Sequence, residues 1–209
     1  MIRLFFICTV IVLGRFSTAW CQRADSTFYP NGQLRSVGAT DVKGKQGKWV
    51  FYYPDGSKNS LEQYRNDILH GQVDNFHPNG KLISKENWEE GLPTDSAFYY
   101  HENGELRRKG IYVDGMYQGE WLVFFDNGIL ERKGSYDQGL PVGEWLNYNA
   151  DGYLIEKGTY REGVQHGLFQ FFDDKGRLLY EGHYDQGKET GTWYQFNKNG
   201  KRKVYEVYE

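Results

Sequence analysis

The sequence predicts an all-β protein: an elongated, twisted antiparallel meander of about eight β-hairpin repeats, each 24 residues long. Three observations support this fold. Turn glycines recur at a constant 24-residue step, aromatic and leucine columns keep the same step, and no long stretch has the apolar period of a helix. The turn glycines are Gly32, Gly56, Gly80, Gly104, Gly128, Gly152, Gly176 and Gly200. Each repeat unit is therefore expected to be two short strands joined at one of these glycines.

The repeats are preceded by a segment, residues 1–21, that is typical of a secretory signal peptide. Its apolar run is shorter than the roughly 20 residues needed to span a bilayer. Small residues follow at two cleavage positions, after Ala19 or after Cys21. The sequence thus predicts export to the periplasm, the cell envelope or the medium, with the repeat array at 22–209. A lipoprotein acylated at Cys21 is the alternative, which Trp20 disfavours because a lipobox has a small residue there.

Composition excludes several function classes. Both cysteines, Cys8 and Cys21, lie in the leader, so no disulfide or thiolate metal site is expected in the mature chain. Removing Arg3 and Arg15 with the leader changes the formal net charge from −3 to −5. This charge argues against nucleic acid and against an anionic membrane as the main partner. The aromatic-rich, aliphatic-poor composition favours a thin sheet over a thick core.

The first strand of each unit ends with an aromatic residue four positions before the turn glycine. This column is Phe28, Tyr52, Phe76, Tyr100, Phe124, Tyr148, Phe172 and Phe196. Asn or Asp precedes the glycine in every unit except the one with Lys175, and Pro30, Pro54 and Pro78 stand one position earlier. This order of residues predicts a type I turn closed by a left-handed glycine. Such a loop pairs the aromatic residue with the position two after the glycine, which is usually leucine.

Two further aromatic columns follow the same period. Eight positions after the turn glycine stand Tyr64, Trp88, Tyr112, Tyr136, Tyr160, Tyr184 and Tyr208. Seven positions before it stand Trp49, Trp121, Trp145, Phe169 and Trp193, with lapses at Val73 and Ala97. Strand alternation places this second column on the face opposite the aromatic and leucine pairs. We select its five aromatic residues as the candidate partner-binding face, because a varying position in a regular scaffold can carry specificity. Packing of the rings within the sheet is the alternative.

The unit at residues 110–128 resembles a MORN repeat. The residues that match this family's pattern are Gly110, Tyr112, Gly115, Gly119, Phe125, Asn127 and Gly128. Trp121 occupies a slot that is glycine in the standard repeat, and the period is one residue longer. Both features are similar to the bacterial MORN-variant subfamily, often labelled YwqK-type antitoxin. The resemblance covers residues 28–208 and implies hairpin repeats in an elongated sheet, a non-enzymatic role, and proteins or lipids as partners.

Titratable residues form no catalytic or metal-binding pattern. His77 and His101 hold the same slot in successive units and should lie about 9.6 Å apart, at two strand spacings, too far to ligate one zinc ion. The carboxylate pairs Glu89-Glu90 and 173–174 fall at or near turns and point to opposite faces. We therefore predict a protein that is not an enzyme and has no catalytic residue, no metal and no cofactor.

Three functions agree with these observations. The first is an exported repeat scaffold that binds another protein, because an uninterrupted array offers a large regular face. The second is a module that binds a glycan or a membrane surface, with the negative charge counting against lipid. The third, an antitoxin-like or immunity protein that neutralises a toxin, is implied by the family resemblance. The partner's identity and the oligomeric state are left open.

Overall fold

The computed structural model describes residues 23–209, which form one antiparallel sheet of 18 strands. The predicted signal peptide, residues 1–21, lies outside the described residues. Within them, no helix is long and apolar enough to cross a membrane. The strands are β1 (Arg23–Phe28), β2 (Leu34–Asp41), β3 (Gly44–Tyr52), β4 (Lys58–Arg65), β5 (Ile68–Leu69), β6 (Gly71–Phe76), β7 (Leu82–Glu89), β8 (Leu92–Tyr100), β9 (Leu106–Val113), β10 (Met116–Phe124), β11 (Leu130–Asp137), β12 (Leu140–Tyr148), β13 (Leu154–Arg161), β14 (Val164–Gln165), β15 (Gly167–Phe172), β16 (Leu178–Asp185), β17 (Lys188–Phe196) and β18 (Arg202–Tyr208).

The sheet is an open meander in which successive strands pair antiparallel. Two strand positions are interrupted: β5 and β6 both pair with β4, and β14 and β15 both pair with β13. When each interrupted pair is taken as one strand, residues 23–209 make eight hairpins, from β1–β2 to β17–β18. The all-β antiparallel meander predicted from the 24-residue period is confirmed.

The turn within each hairpin has the predicted geometry. In the first unit the N–H of Gly32 donates to the carbonyl of Tyr29 at 2.9 Å, which closes a four-residue turn. All eight turn glycines have φ between 73° and 95°, where a side chain would be strained. The recurrent Asn or Asp also has a role, because Asn31 Oδ1 accepts a hydrogen bond from the N–H of Gln33 at 3.1 Å. The turn motif thus satisfies its own backbone.

In the unit with Lys175 before the glycine, a different side chain accepts the hydrogen bonds of the turn N–H groups. Asp173 Oδ1 accepts hydrogen bonds from the N–H groups of Lys175 and Arg177, each at 2.9 Å. These bonds, first that of the Arg177 backbone, lower the pKa of Asp173 to about 2. The carboxylate therefore stays ionised and caps the turn at any ordinary pH.

The register of the hairpins confirms the predicted pairing of the aromatic and leucine columns. Phe124 pairs with Leu130, and Phe172 pairs with Leu178. In the second unit Lys58 takes the leucine position opposite Tyr52, and its ammonium lies 5.4 Å from the centre of the Phe76 ring. This column therefore links each hairpin internally on the face opposite the tryptophans.

From β4 onward, neighbouring hairpins are joined by two-residue turns in which both residues have positive φ. Examples are Glu90 (48°) with Gly91 (81°) and Gln138 (48°) with Gly139 (82°). This is the type I′ conformation, whose twist matches that of the flanking strands. The N–H of Gly91 also donates to the carbonyl of Leu69 at 3.0 Å, so each turn is bonded to the one before it. These bonds hold successive units in register along one long edge.

Candidate functional site

The residues selected as the partner-binding face are buried. We define the tryptophan row as Trp49, Val73, Ala97, Trp121, Trp145, Phe169 and Trp193, none of which is more than 8% exposed. This burial corrects the expectation that the five aromatic rings themselves present their faces to a partner. The rings instead form the floor of the surface on which other side chains stand.

Each aromatic ring of the row covers a glycine on the preceding strand. A Cβ atom built on that glycine would lie only 2.1–2.3 Å from the nearest ring atom. The pairs are Trp49 on Gly38, Trp121 on Gly110, Trp145 on Gly134, Phe169 on Gly158 and Trp193 on Gly182. Only a residue without a side chain leaves room for the ring, so the two positions of each pair depend on one another.

A β-bulge positions the aromatic ring over the glycine. Gln118 pairs with Ile111, whereas Leu122 pairs with Lys109, so residues 119–121 stand opposite the single residue 110. Gly119 has φ of 64° and no atom within 4 Å of a built Cβ, which shows that it serves conformation rather than packing. The backbone conformation of Gly119 therefore sets the direction in which the Trp121 side chain points.

The two lapses in the tryptophan row are compensated on the neighbouring strand. Val73 and Ala97 stand beside strand positions that hold Glu62 and Glu86 instead of glycine. The hydroxyl of Ser60 donates to Glu62 Oε1 at 2.6 Å. Glu62 Oε2 accepts from the hydroxyl of Tyr64, and Glu86 accepts from the indole N–H of Trp88 at 3.2 Å. The space left by the smaller residue on one strand is thus filled by a hydrogen-bonded carboxylate side chain on the neighbouring strand.

Tyrosines pack edge-on against the tryptophan row. Tyr112 meets Trp121 at 5.2 Å and 81°, and Tyr136 meets Trp145 at 5.1 Å and 85°. Ring contacts continue without a break through Tyr112, Tyr117, Tyr136, Trp145, Tyr160, Phe169, Tyr184, Trp193 and Tyr208. Edge-to-face pairs of this kind are favourable beyond the area they bury. Burial also raises the pKa of Tyr112 to about 12, so its hydroxyl remains protonated.

Beside the tryptophan row, on the same face, runs a line of directly paired residues that we call the central row. Each member pairs with the next across neighbouring strands. Its members are Thr27, Ser36, Phe51, Ser60, Asn75, Ser84, Tyr99, Arg108, Val123, Arg132, Asn147, Glu156, Phe171, Tyr180 and Gln195. Ser36, Ser60, Ser84 and Tyr99 of this row are buried, whereas its members from Arg108 to Gln195 are at least partly exposed. This row was not predicted from the sequence, although its two columns keep a strict position while their residue type changes along the array.

The middle of the central row borders a basic depression, which we call the arginine depression. Its volume is about 310 Å³, and it is lined by Arg107, Arg108, Tyr117, Trp121, Val123, Arg132, Tyr136 and Trp145. None of these residues is acidic. A second open depression of about 600 Å³ shares Arg132, Tyr136 and Trp145 and extends to Glu156 and Tyr160. The face that carries the central row therefore has two adjoining depressions above the continuous part of the aromatic floor.

Arg108 is held in place by aromatic neighbours. Its guanidinium carbon lies 4.0 Å from the centre of the Tyr99 ring and 6.0 Å from that of Trp121. Nη1 donates a long hydrogen bond to the Tyr117 hydroxyl at 3.4 Å, and the buried Nε has no hydrogen-bond partner. The group is thus oriented by stacking while most of its donors are not engaged.

Two of the histidines make contacts at the ends of strands, near the turns. His101 Nε2 donates to the carbonyl of Phe124 at 2.8 Å, which links two successive turns. His166 Nδ1 lies 3.2 Å from Asp185 beside the break between β14 and β15. Among residues 23–209, no group of three or more His, Cys, Asp or Glu side chains is arranged to hold a metal ion.

Hairpins of constant length stacked in one open sheet define a β-hairpin repeat protein. The chain belongs to the MORN repeat variant family, whose model matches residues 45–66, 69–90, 96–114, 117–138 and 165–186. The matched ranges make up about half of the chain and confirm the resemblance of the repeat motif. The finer YwqK-type label stays a prediction.

Similarity to solved structures is low. A crystal structure of TcdB2-TccC3 has a TM-score of 0.20 and 13% identity, covering 83% of this chain and 13% of that one. A crystal structure of TcdB2-TccC3-Cdc42 has a TM-score of 0.21 and 14% identity, covering 88% and 15%. A protein with unknown function from Bacteroides fragilis NCTC 9343 has a TM-score of 0.13 and 9% identity, covering 90% and 91%. The chain thus spans only a small part of the first two structures. No curated protein matches it.

Proposed function

We propose that this protein is an exported, non-enzymatic repeat scaffold that binds a protein partner along the central row. MORN repeats suggest a scaffold for protein or membrane interaction. The observation that favours a protein partner is that the columns with a repeated residue type have structural roles, whereas the central row varies. Columns that repeat form turns and the buried floor, whereas the central row keeps its position from unit to unit, varies its chemistry, and is at least partly exposed from Arg108 to Gln195.

The surface on this row suits a protein partner. Partly buried Phe51, Val123, Phe171 and Tyr180 stand along it among polar and charged groups, a mixture typical of protein interfaces. The rigid aromatic floor limits the entropy that binding would cost. An antitoxin-like role would be a special case in which the partner is a toxin. Export is proposed because residues 1–21 have the composition of a secretory signal peptide.

Affinity capture with matched charge reversals tests the proposal. Arg132 and Lys133 are neighbours on opposite faces of β11, and their side chains are 48% and 46% exposed. The tagged protein is cross-linked in an envelope extract of the source organism, and captured proteins are identified by mass spectrometry. We expect one partner in near-stoichiometric yield with the wild type and with Lys133→Glu, and its loss with Arg132→Glu. Equal capture by both variants, or no captured protein, would contradict the proposal.

One observation favours membrane-surface binding as a second function. The turns between units are followed by exposed aliphatic residues at the repeat period: Ile68, Leu92, Met116, Leu140 and Val164, each 44–51% exposed. Such a stripe along one edge could enter the interfacial region of a bilayer. Sedimentation with liposomes tests this function, and a Met116→Glu/Leu140→Glu variant should then stay in the supernatant. Wild-type protein that does not sediment would exclude it.

A further inference from the structure

We infer that the arginine depression docks an acidic segment of the protein partner, through the carboxylates of its Asp or Glu residues. The inference rests on the proposed function, because it names the chemistry that the central row recognises. Three arginines line the depression and no acidic residue does. In a chain of net charge −3, this concentration of positive charge is a local exception. Charge complementarity therefore selects an anionic occupant.

The arginines have few partners within the protein. Among residues 23–209, Arg108 forms no ion pair, and the ion pair of Arg132 is a loose contact of 3.8 Å with its neighbour Glu131. The Arg108 side chain is already oriented by its contact with Tyr99. An oriented guanidinium loses little freedom when it binds, and its planar fork matches the two oxygens of a carboxylate.

The extent of the positive surface favours a short peptide over a long polyanion. Arg108, Val123 and Arg132 pair directly on three adjoining strands, so the two arginines stand about 9.6 Å apart at the backbone. Two strands beyond Arg132, the central row carries Glu156. Nucleic acid or an anionic membrane would meet this carboxylate, whereas a short acidic segment would not.

The spacing indicates the conformation of that segment. A polyproline II helix has three residues per turn and advances about 9.3 Å per turn, close to the distance between the arginines. Two acidic residues three positions apart would then lie on the same side and reach one arginine each. The intervening residues would rest on Val123 and the aromatic floor. The occupant is thus a segment of the form acidic-x-x-acidic.

Selection of peptides tests the inference without knowledge of the partner. A random-peptide phage library is panned on the purified protein, on Arg108→Gln/Arg132→Gln, and on the control Lys109→Gln/Lys133→Gln, whose lysines lie on the opposite face. The selected wild-type binder is then measured by fluorescence polarisation. An Arg108→Lys/Arg132→Lys variant, which keeps the charge and loses the fork, separates charge from geometry. Thermal melts of each variant establish that it is folded.

We expect acidic residues three positions apart among wild-type binders, and binding about tenfold or more weaker to the glutamine double variant. The lysine control should bind within about twofold of wild type, and the charge-keeping variant should bind with intermediate affinity. Neutral binders, binders that retain affinity for the glutamine variant, or equal weakening by the lysine control would overturn the inference. So would a dimer in sedimentation that the arginine changes abolish, because the occupant would then be a second copy.

Failure of the inference can be told from failure of the proposed function. Neutral peptides that compete with the captured partner would overturn the acidic docking site and leave the scaffold function standing. Absence of any captured partner would overturn the scaffold function itself.

Discussion

Trp145 covers Gly134: the Cδ2 atom of the indole lies 2.2 Å from the position that a Cβ on Gly134 would occupy. The same relation holds for the other four aromatic residues of the tryptophan row and their glycines. Where the row holds Val73, the glycine is replaced by Glu62, a much larger residue. The floor is therefore packed by pairs of positions on neighbouring strands, which leads to two predictions on stability.

Gly134→Ala should destabilise the protein by about 1–3 kcal/mol, because the added methyl group overlaps the indole and forces ring or strand to move. The measurement is the free energy of unfolding in a denaturant titration. Ser135→Ala, on the next residue and the opposite face, is the matched control and should change stability by less than about 0.5 kcal/mol. If both variants unfold like the wild type, the ring does not occupy this space.

Val73→Trp alone should destabilise the protein, since Glu62 stands where other units leave a glycine for the ring. The double variant Glu62→Gly/Val73→Trp should recover part of that loss by recreating the pair found elsewhere. A double-mutant cycle should yield a favourable coupling on the order of 1 kcal/mol. Additive effects of the two substitutions would show that the positions pack independently.

Stability should fall in alkaline solution as buried tyrosines titrate. Burial raises the pKa of Tyr112 to about 12, whereas an unfolded tyrosine has a pKa of about 10. Between these values the unfolded chain loses the phenolic proton first, so stability present below about pH 10 is lost as the pH rises towards 12. Denaturant titrations at several pH values measure this, with tyrosinate absorbance as a second readout. Tyr112→Phe should lose less stability over the same range, and an identical loss would refute the assignment to Tyr112.

Truncation by whole hairpins should lower stability in steps, because each unit contacts only its neighbours. Deleting residues 188–209 removes β17 and β18, uncovers Gly182 and leaves Tyr184 without Trp193. The midpoint of thermal unfolding should decrease, and deletion of a second hairpin should decrease it further. A fragment of two hairpins, residues 116–161, should not fold alone. Full stability of that fragment would contradict a repeat array.

Local rules made the hairpin predictable from the sequence. The turn chemistry and the 24-residue step predict the pairing of Phe124 with Leu130, and the register confirms it. Strand alternation predicts on which face Trp145 lies, but it does not say what covers the ring. The packing of the ring depends on a bulge and on Gly134 of the adjacent strand. The sequence signal for this packing was the occurrence of an aromatic residue and a glycine together in the same units.

The turns between units and the central row were harder to predict. Glu90 adopts a φ of 48°, although glutamate has no preference for left-handed backbone, because the pairing of the flanking strands imposes the turn. The two columns of the central row change residue type along the array, from Ser36, Ser60 and Ser84 to Arg108 and Arg132 in one of them, and a search for repeats passes over columns that vary. Such columns are visible only when the register is known.

Site-specific photo-cross-linking distinguishes binding through the central row from binding through the opposite face of the sheet. A photoreactive amino acid is placed either at Val123, in the central row, or at Leu122, the adjacent residue on the opposite face, and the cells are irradiated. We expect one cross-linked partner protein from position 123 and none from position 122. Cross-linking from position 122 alone, or equally from both positions, would contradict the claim that the central row is the binding surface.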